Sequence, residues 1–198
     1  MLIDKKLLFE YGGKIQIYES KEIIFEQDET PKYYHQIVSG DVKLNHINED
    51  GKELIQGIHS NGDSVCELLL FIEEKYPVNA VALSECSLMK VSKKNFLRMM
   101  GDHPQVSEDV NKYISHRLYE KFVMMQNIAV TSAESRIRGV LKYFKSFSID
   151  KTPYSYEVKL TRQQFANISG LRVETVIRNL KKLELEKYVK IVDRKVYF

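Results

Sequence analysis

The chain has 198 residues, 43% of them hydrophobic and 29% charged, an ordinary globular balance with room for one large domain or two small ones. No apolar run approaches the roughly 20 residues needed to cross a bilayer, and Leu7-Leu8-Phe9 before Glu10 is too short and too acidic for a signal-peptide core, so a cytoplasmic location without membrane contact is expected. Residues 131–198 hold 15 Lys/Arg against 7 Asp/Glu, a net +8, whereas residues 1–130 hold 15 against 20, a net −5; a basic third on an acidic body points to a polyanion-binding module attached to a sensor or scaffold.

From residue 14 to residue 92 the pattern is β. Ile15–Tyr18, Glu22–Phe25, Tyr34–Val38, Val42–Ile47, Leu54–Ile58, Ala80–Leu83 and Ser87–Val91 are short runs with alternating apolar positions. Turn signals separate them at Asp28, Ser39-Gly40-Asp41, Asp50-Gly51 and Asn61-Gly62-Asp63. Many short strands with this punctuation predict an antiparallel sandwich or roll, and Asp50-Gly51 predicts a tight hairpin. Cys66 and Cys86 form no CxxC pair, which argues against a zinc ribbon or a thioredoxin-type site and leaves two buried or semi-buried thiols. Four-cysteine cluster ligation is excluded by count.

Residues 93–101 read as a short helix, broken at His103-Pro104, with Pro104 able to open the next one. A long helical pattern follows from Ser107, which is a plausible N-cap with Glu108 and Asp109 in its first turn. Val110, Ile114, Leu118, Phe122, Met125 and Ile128 recur at steps of four and three, one apolar stripe along about five turns. Tyr113, Tyr119, Val123 and Met124 form a second set. A helix apolar on two faces wants two partners, here the β domain and a second subunit. Thr131-Ser132 starts a further helix, with Glu134 in its first turn and Ile137, Val140, Leu141 and Phe144 inside. Residues 145–153 read as a loop, and Tyr154–Leu160 alternates like a strand.

Thr161-Arg-Gln-Gln164 is a capping box. It opens a short helix whose inner face is Phe165, Ala166 and Ile168. Gly170 suits a left-handed turn. A second helix starts near Arg172, with Val176, Leu180 and Leu183 as its buried stripe. Helix, glycine turn and helix over about 22 residues is the helix-turn-helix pattern. Tyr188–Val192 and Lys195–Phe198, flanking Asp193-Arg194, make a hairpin of wing size. Glu174 and Arg178 are one turn apart on the exposed face, where a carboxylate can accept from cytosine N4 and a guanidinium can donate to guanine O6 and N7. Thr161, Arg162, Gln163, Arg172, Thr175 and Lys181 are candidates for phosphate contacts on either side.

The stretch Leu160–Leu180 resembles the family of the cyclic-AMP receptor protein and the fumarate–nitrate regulator (Crp/Fnr), as does the order of modules. The resemblance covers about residues 10–198 and includes Val38–Leu44, Asp50-Gly51-Lys-Glu and Gly62-Asp63 leading to Glu67-Leu68. It implies an α+β architecture: an antiparallel β-roll sensor of the cyclic-nucleotide-binding type at 1–103, a dimerisation helix at 104–130 and a winged helix-turn-helix at 131–198. It further implies a homodimer on a two-fold symmetric operator of double-stranded DNA, with helix 172–185 in the major groove and RNA polymerase as a further partner. The family's base-reading positions fall on Val173, Glu174 and Arg178, and valine in the first place resembles the fumarate–nitrate branch.

The sensor half departs from the pattern. Cyclic-nucleotide binders of the family present Gly-Glu-Leu and later Arg-Ser/Thr-Ala, the arginine pairing with the cyclic phosphate. Here these are Cys66-Glu67-Leu68 and Val78-Asn79-Ala80, with no Arg or Lys at 77–80, and the nearby Lys75 is a poor substitute for a bidentate fork. The effector, with Glu67, Leu68, Val78 and Asn79 as its candidate pocket, is therefore expected not to be cyclic AMP. Glu67 is expected to bond backbone amides. Haem ligation by Cys66, His35, His46 or His59 is not expected, since these are scattered over strands. No Ser/His/Asp trio, P-loop, HExxH or glycine-rich phosphate loop occurs, and Glu73-Glu74 and Glu184/Glu186 read as solvated faces, so no catalytic residue, metal or cofactor is expected. The alternative reading is a ligand-sensing β-roll whose helix-turn-helix serves protein contacts.

Overall fold

A computed structural model describes residues 3–129, 132–146 and 148–198, the side chains of 127–129 excepted. The chain divides into two compact units, Met1–His116 and Arg117–Phe198. This division falls inside one long helix.

In the first unit, helix α1 (Lys5–Glu10) is capped by the Asp4 carboxylate. Strands β1 (Lys14–Tyr18), β2 (Ile23–Phe25), β3 (Tyr33–Ser39), β4 (Val42–Ile47) and β5 (Glu53–His59) follow. A 3-10 turn at Glu67–Phe71 precedes β6 (Asn79–Ala82), β7 (Cys86–Ser92) and helix α2 (Lys93–Asp102). The seven strands expected from alternation all form. They make two antiparallel sheets, ordered β1-β7-β3 and β2-β6-β4-β5.

Period-2 alternation explains how one strand serves two cores. Cys86 and Leu88 of β7 face a cluster with Tyr18, Phe25, Ile37, Val42 and Leu44. Met89 and Val91 face a second cluster with Leu8, Tyr34, Phe96, Met99 and Val110. Gly40 allows the β3–β4 turn: its φ is +83°, and an added Cβ would lie 2.5 Å from both Cys86 Cβ and the Glu85 carbonyl oxygen. The expected hairpin at Asp50-Gly51 forms between β4 and β5, with Gly51 at φ +74°. Cys66 is half-buried and Cys86 buried, and both thiols are free.

Helix α3 spans Pro104–Ala129. Pro104 opens it, so Ser107 is an interior residue and not the N-cap expected. Its hydroxyl instead donates to the Met100 carbonyl at 2.8 Å, a competing local acceptor that removes it from cap duty. The stripe expected along α3 splits. Val110 is buried and Ile114 packs beside it in the second cluster, whereas Leu118, Phe122 and Met125 are 52%, 56% and 66% exposed. The side chain of Ile128 lies outside the described residues, as does Thr131. Among the described residues no helix is long and apolar enough to cross a membrane.

In the second unit, α4 (Ala133–Ser146), α5 (Arg162–Ser169) and α6 (Val173–Leu185) pack on one another. A three-stranded sheet of β8 (Glu157–Val158), β10 (Lys195–Tyr197) and β9 (Lys190–Val192) adjoins in sequence. The Tyr154–Leu160 strand shrinks to two residues because only Glu157 and Val158 find partners on β10. Lys145 belongs to α4 and not to a loop; its ammonium donates to the Thr152 and Phe198 carbonyls at 2.6 and 2.8 Å.

One core residue makes stability depend on pH. His35 is buried, and desolvation with the nearby Lys90 charge pushes its pKa down to about 3. The unfolded chain binds a proton near pH 6.5 where the folded one does not. Stability of the first unit is therefore expected to fall as pH drops from about 6.5 towards 3, with a slope approaching about 1.4 kcal/mol per pH unit from this group. Urea melts of the wild type and His35→Phe between pH 7 and 4 check this, the variant losing that share of the slope.

Candidate nucleic-acid interface

The capping box forms in full: Thr161 Oγ1 accepts the Gln164 N–H at 3.1 Å, and Gln164 Oε1 accepts the Thr161 N–H at 2.8 Å. Phe165, Ala166 and Ile168 are buried beneath α5. Gly170 ends the helix at φ +65° and turns the chain towards α6. Arg172 is the N-cap of α6 and makes no side-chain cap bond, as expected of an arginine where serine or threonine would cap.

The two faces of α6 are distinct. Val176, Leu180 and Leu183 are buried. Glu174, Arg178 and Lys181 are exposed. Neither Glu174 nor Arg178 has an ion pair or side-chain hydrogen bond among the described residues, so both are available to a ligand. Val173 and Thr175 are half-buried at the start of the helix, and the Thr175 carbonyl accepts from the Asn179 side chain at 2.8 Å.

The flanking cations play different parts. Arg172 and Lys181 are exposed. Gln163 is exposed, and its amide donates to Asn167 Oδ1 at 2.8 Å. Arg162 is half-buried and donates to the Arg194 carbonyl at 3.1 Å, and burial pulls its pKa down. Its guanidinium thus ties the start of α5 to the tip of the wing. The tip itself is a two-residue turn, Asp193 at φ +48° and Arg194 at φ +65°, a sign pattern that matches the twist of a tight hairpin. It carries exposed Arg194 with Lys190 and Lys195 on the adjoining strands. Sequence reasoning identified the hairpin but not these three cations. Their signal was the simple excess of Lys and Arg in the last ten residues.

An ionic network fixes the tilt of α6. Glu134 on α4 accepts from Arg138 Nε at 2.9 Å and Lys182 Nζ at 2.7 Å. Arg138 also reaches Glu186 at 2.5 Å and lies 4.0 Å from the Tyr188 ring centroid. The Lys182 hydrogen bond, then that of Arg138, holds the Glu134 carboxyl below the usual carboxylate range. The network spans residues 134 to 188, too far apart for spacing to reveal.

In the first unit the four candidate pocket residues have four environments. Glu67 is buried and accepts the Ser64 hydroxyl at 2.8 Å, a hydroxyl and not the backbone amides expected. The Ser64 N–H in turn bonds the Tyr113 phenol of α3 at 3.2 Å. Leu68 is exposed, Val78 lies in the first core cluster, and Asn79 Oδ1 accepts the Gln27 N–H at 2.8 Å. No cation stands at Pro77–Ala80 to meet a cyclic phosphate. These residues do not fit a cyclic nucleotide.

Residues 15–103 match the cyclic nucleotide-binding domain family. The cAMP-activated global transcriptional regulator CRP of Salmonella typhimurium is 30% identical over 172 residues, which span 86% of this chain and 82% of that protein. The chain belongs to the Crp/Fnr family of transcription regulators. The transcriptional activatory protein AadR of Rhodopseudomonas palustris is 26% identical over 177 residues, spanning 88% of this chain and 73% of that protein. The fold agrees: the c-di-GMP-responsive global regulator CLP of Xanthomonas campestris aligns with a TM-score of 0.80 at 21% identity, covering 98% of this chain and 99% of that one.

The cap that opens α5 is testable by itself. Thr161→Ala is expected to lower the stability of the second unit by about 1 kcal/mol in urea melts. Thr161→Ser retains the hydroxyl and is expected to retain the stability.

Proposed function

We propose that this Crp/Fnr regulator binds a two-fold symmetric DNA operator as a homodimer and reads bases in the major groove with Glu174 and Arg178. The observation that carries the reading is the pair itself: opposite charges one helical turn apart, exposed, and free of partners among the described residues. A surface ion pair would have consumed both groups. Glu174 sits in the first turn of α6, where the partial positive charge of the helix end favours a carboxylate. Its oxygens suit cytosine N4, and the Arg178 fork suits guanine O6 and N7. Val173 stands beside them and contributes apolar contact only.

Arg172, Lys181, Thr161, Gln163 and Thr175 flank the pair and serve phosphates. Arg162 acts at one remove, by holding the wing whose Lys190 and Arg194 meet the backbone. A groove reader on one subunit covers one half-site. The exposed apolar side chains Leu118, Phe122 and Met125 supply the surface that pairs two such readers, with half-site centres about 34–36 Å apart. The effector, if it occupies the region of Glu67 and Asn79, is other than a cyclic nucleotide, because the phosphate would meet no cation there.

Selection from random duplexes is expected to return a palindromic site. On that site Arg178→Ala is expected to cost about 1–3 kcal/mol and to relax the preference at one base pair, measured by fluorescence anisotropy. Lys181→Ala is expected to weaken all duplexes alike and to lower the salt slope by about one. Equal, sequence-independent losses from both substitutions would remove the assignment of base reading to Arg178.

The pairing surface has its own test. Phe122→Glu is expected to shift sedimentation from dimer to monomer, and operator affinity is expected to drop at least about tenfold because one half-site cannot hold the complex alone. A Phe122→Glu protein that remains dimeric would place the interface elsewhere.

A further inference from the structure

From Val173 to Lys181 the exposed residues of α6 are Glu174, Ile177, Arg178 and Lys181. Three of them carry charge, whereas Ile177 is aliphatic and 39% exposed. At 3.6 residues per turn, Ile177 lies about 60° around the helix from Glu174 and about 100° from Arg178. The buried stripe of Val176, Leu180 and Leu183 is centred roughly 90° away on its other side. Ile177 therefore stands on the same outward arc as the charged pair, at the margin nearer the core. Val173, half-buried, precedes it by four residues and lies on the same ridge.

Isoleucine is a poor choice for a helix position that meets only water. Its β-branch lowers helix propensity relative to Ala, Lys or Glu, and its methyl groups gain nothing from solvent. What the branch supplies is stiffness, since isoleucine in a helix takes one χ1 rotamer about nine times in ten. The methyl groups are placed before anything meets them, so a contact with them loses little side-chain entropy. Single exposed aliphatic residues are common on protein surfaces; here the position decides, because Ile177 sits between the two side chains assigned to base edges. The major groove has one apolar landmark, the C5 methyl of thymine. Its donors and acceptors offer nothing to an aliphatic group.

We propose that Ile177 reads a thymine by burying that methyl group, adding one base pair of preference beside those assigned to Glu174 and Arg178. The inference rests on that assignment, because Ile177 meets a base only if α6 enters the major groove. Removing one methyl from water against an aliphatic side chain corresponds to about a fourfold change in affinity.

The full chain is bound to the operator selected from random duplexes, with each thymine of one half-site replaced in turn by deoxyuridine. The replacement removes the methyl and leaves every hydrogen-bonding group of the base pair in place. The wild type is expected to lose about fourfold in affinity at one thymine, measured by fluorescence anisotropy. Ile177→Ala is expected to bind thymine and uracil equally there, and Ile177→Val, which keeps the branch, to retain part of the discrimination. Each protein is compared with itself on two duplexes, so any loss of folded protein cancels. A wild type indifferent to uracil at every position overturns the proposal. So does an Ile177→Ala protein that discriminates as the wild type does, or a half-site without thymine. Arg178→Ala on the same duplexes separates the two claims. Base-specific loss from Arg178→Ala alongside indifference to uracil removes Ile177 and leaves Arg178 as a reader, whereas failure to select any operator removes both.

Discussion

Burial of Val176, Leu180 and Leu183 along one side of α6 is the constraint from which the proposed recognition surface follows. Each such side chain contributes about 1.5–3 kcal/mol when removed from water. The helix therefore cannot roll about its axis without exposing them. At 3.6 residues per turn, fixing that stripe fixes which residues face outward. Glu174 and Arg178 are exposed because the apolar positions leave them no other direction. The Glu134–Arg138–Glu186–Lys182 network then adds a charged tie to α4 at the C-terminal half, beside Leu180 and Leu183, and so sets its tilt. Roll is held by desolvation and tilt by charge, so the two respond differently to salt.

What could be read from the sequence was what is local. The capping box, the left-handed Gly170 and the α6 stripe are decided within four or five residues of each other, and all three form as expected. The β-strands of the first unit were legible for the same reason, since a period of two needs only four or five residues to show. Ser107 misled because a cap is defined by its partner. Its hydroxyl found the Met100 carbonyl, and Pro104 began the helix one turn earlier. Tyr154–Leu160 alternates well, but a strand needs a neighbour, and β10 offers pairing for Glu157 and Val158 only.

The features that stayed hidden are contacts across long sequence separations. Arg162 and Arg194 are 32 residues apart, and nothing about either residue type announces their bond. Arg162 reads as one more phosphate cation until its half-buried guanidinium is seen holding the wing. His35 was equally opaque. It sits in β3 on the same side as Ile37, but both sides of that strand are buried, with Tyr34 in the second core cluster and Ile37 in the first, so alternation gave no sign that the imidazole would be enclosed without a partner. The departure of Val78-Asn79 from a cyclic-phosphate binder was legible because it is an absence of charge, and charge is visible in a string of letters.

The Tyr113 phenol gives α3 a polar hold on the segment around Glu67, through the Ser64 N–H and the Ser64 hydroxyl beyond it. Thermodynamic reciprocity attaches to such a clasp. Whatever reshapes residues 64–67 alters the free energy of seating Tyr113. By the same amount, whatever steadies α3 alters the free energy of reshaping 64–67. On the proposed reading, in which dimerisation and operator capture both engage the chain beyond His116, each would then be felt at Glu67 as a change in affinity for anything that disturbs Ser64, even though neither event touches it.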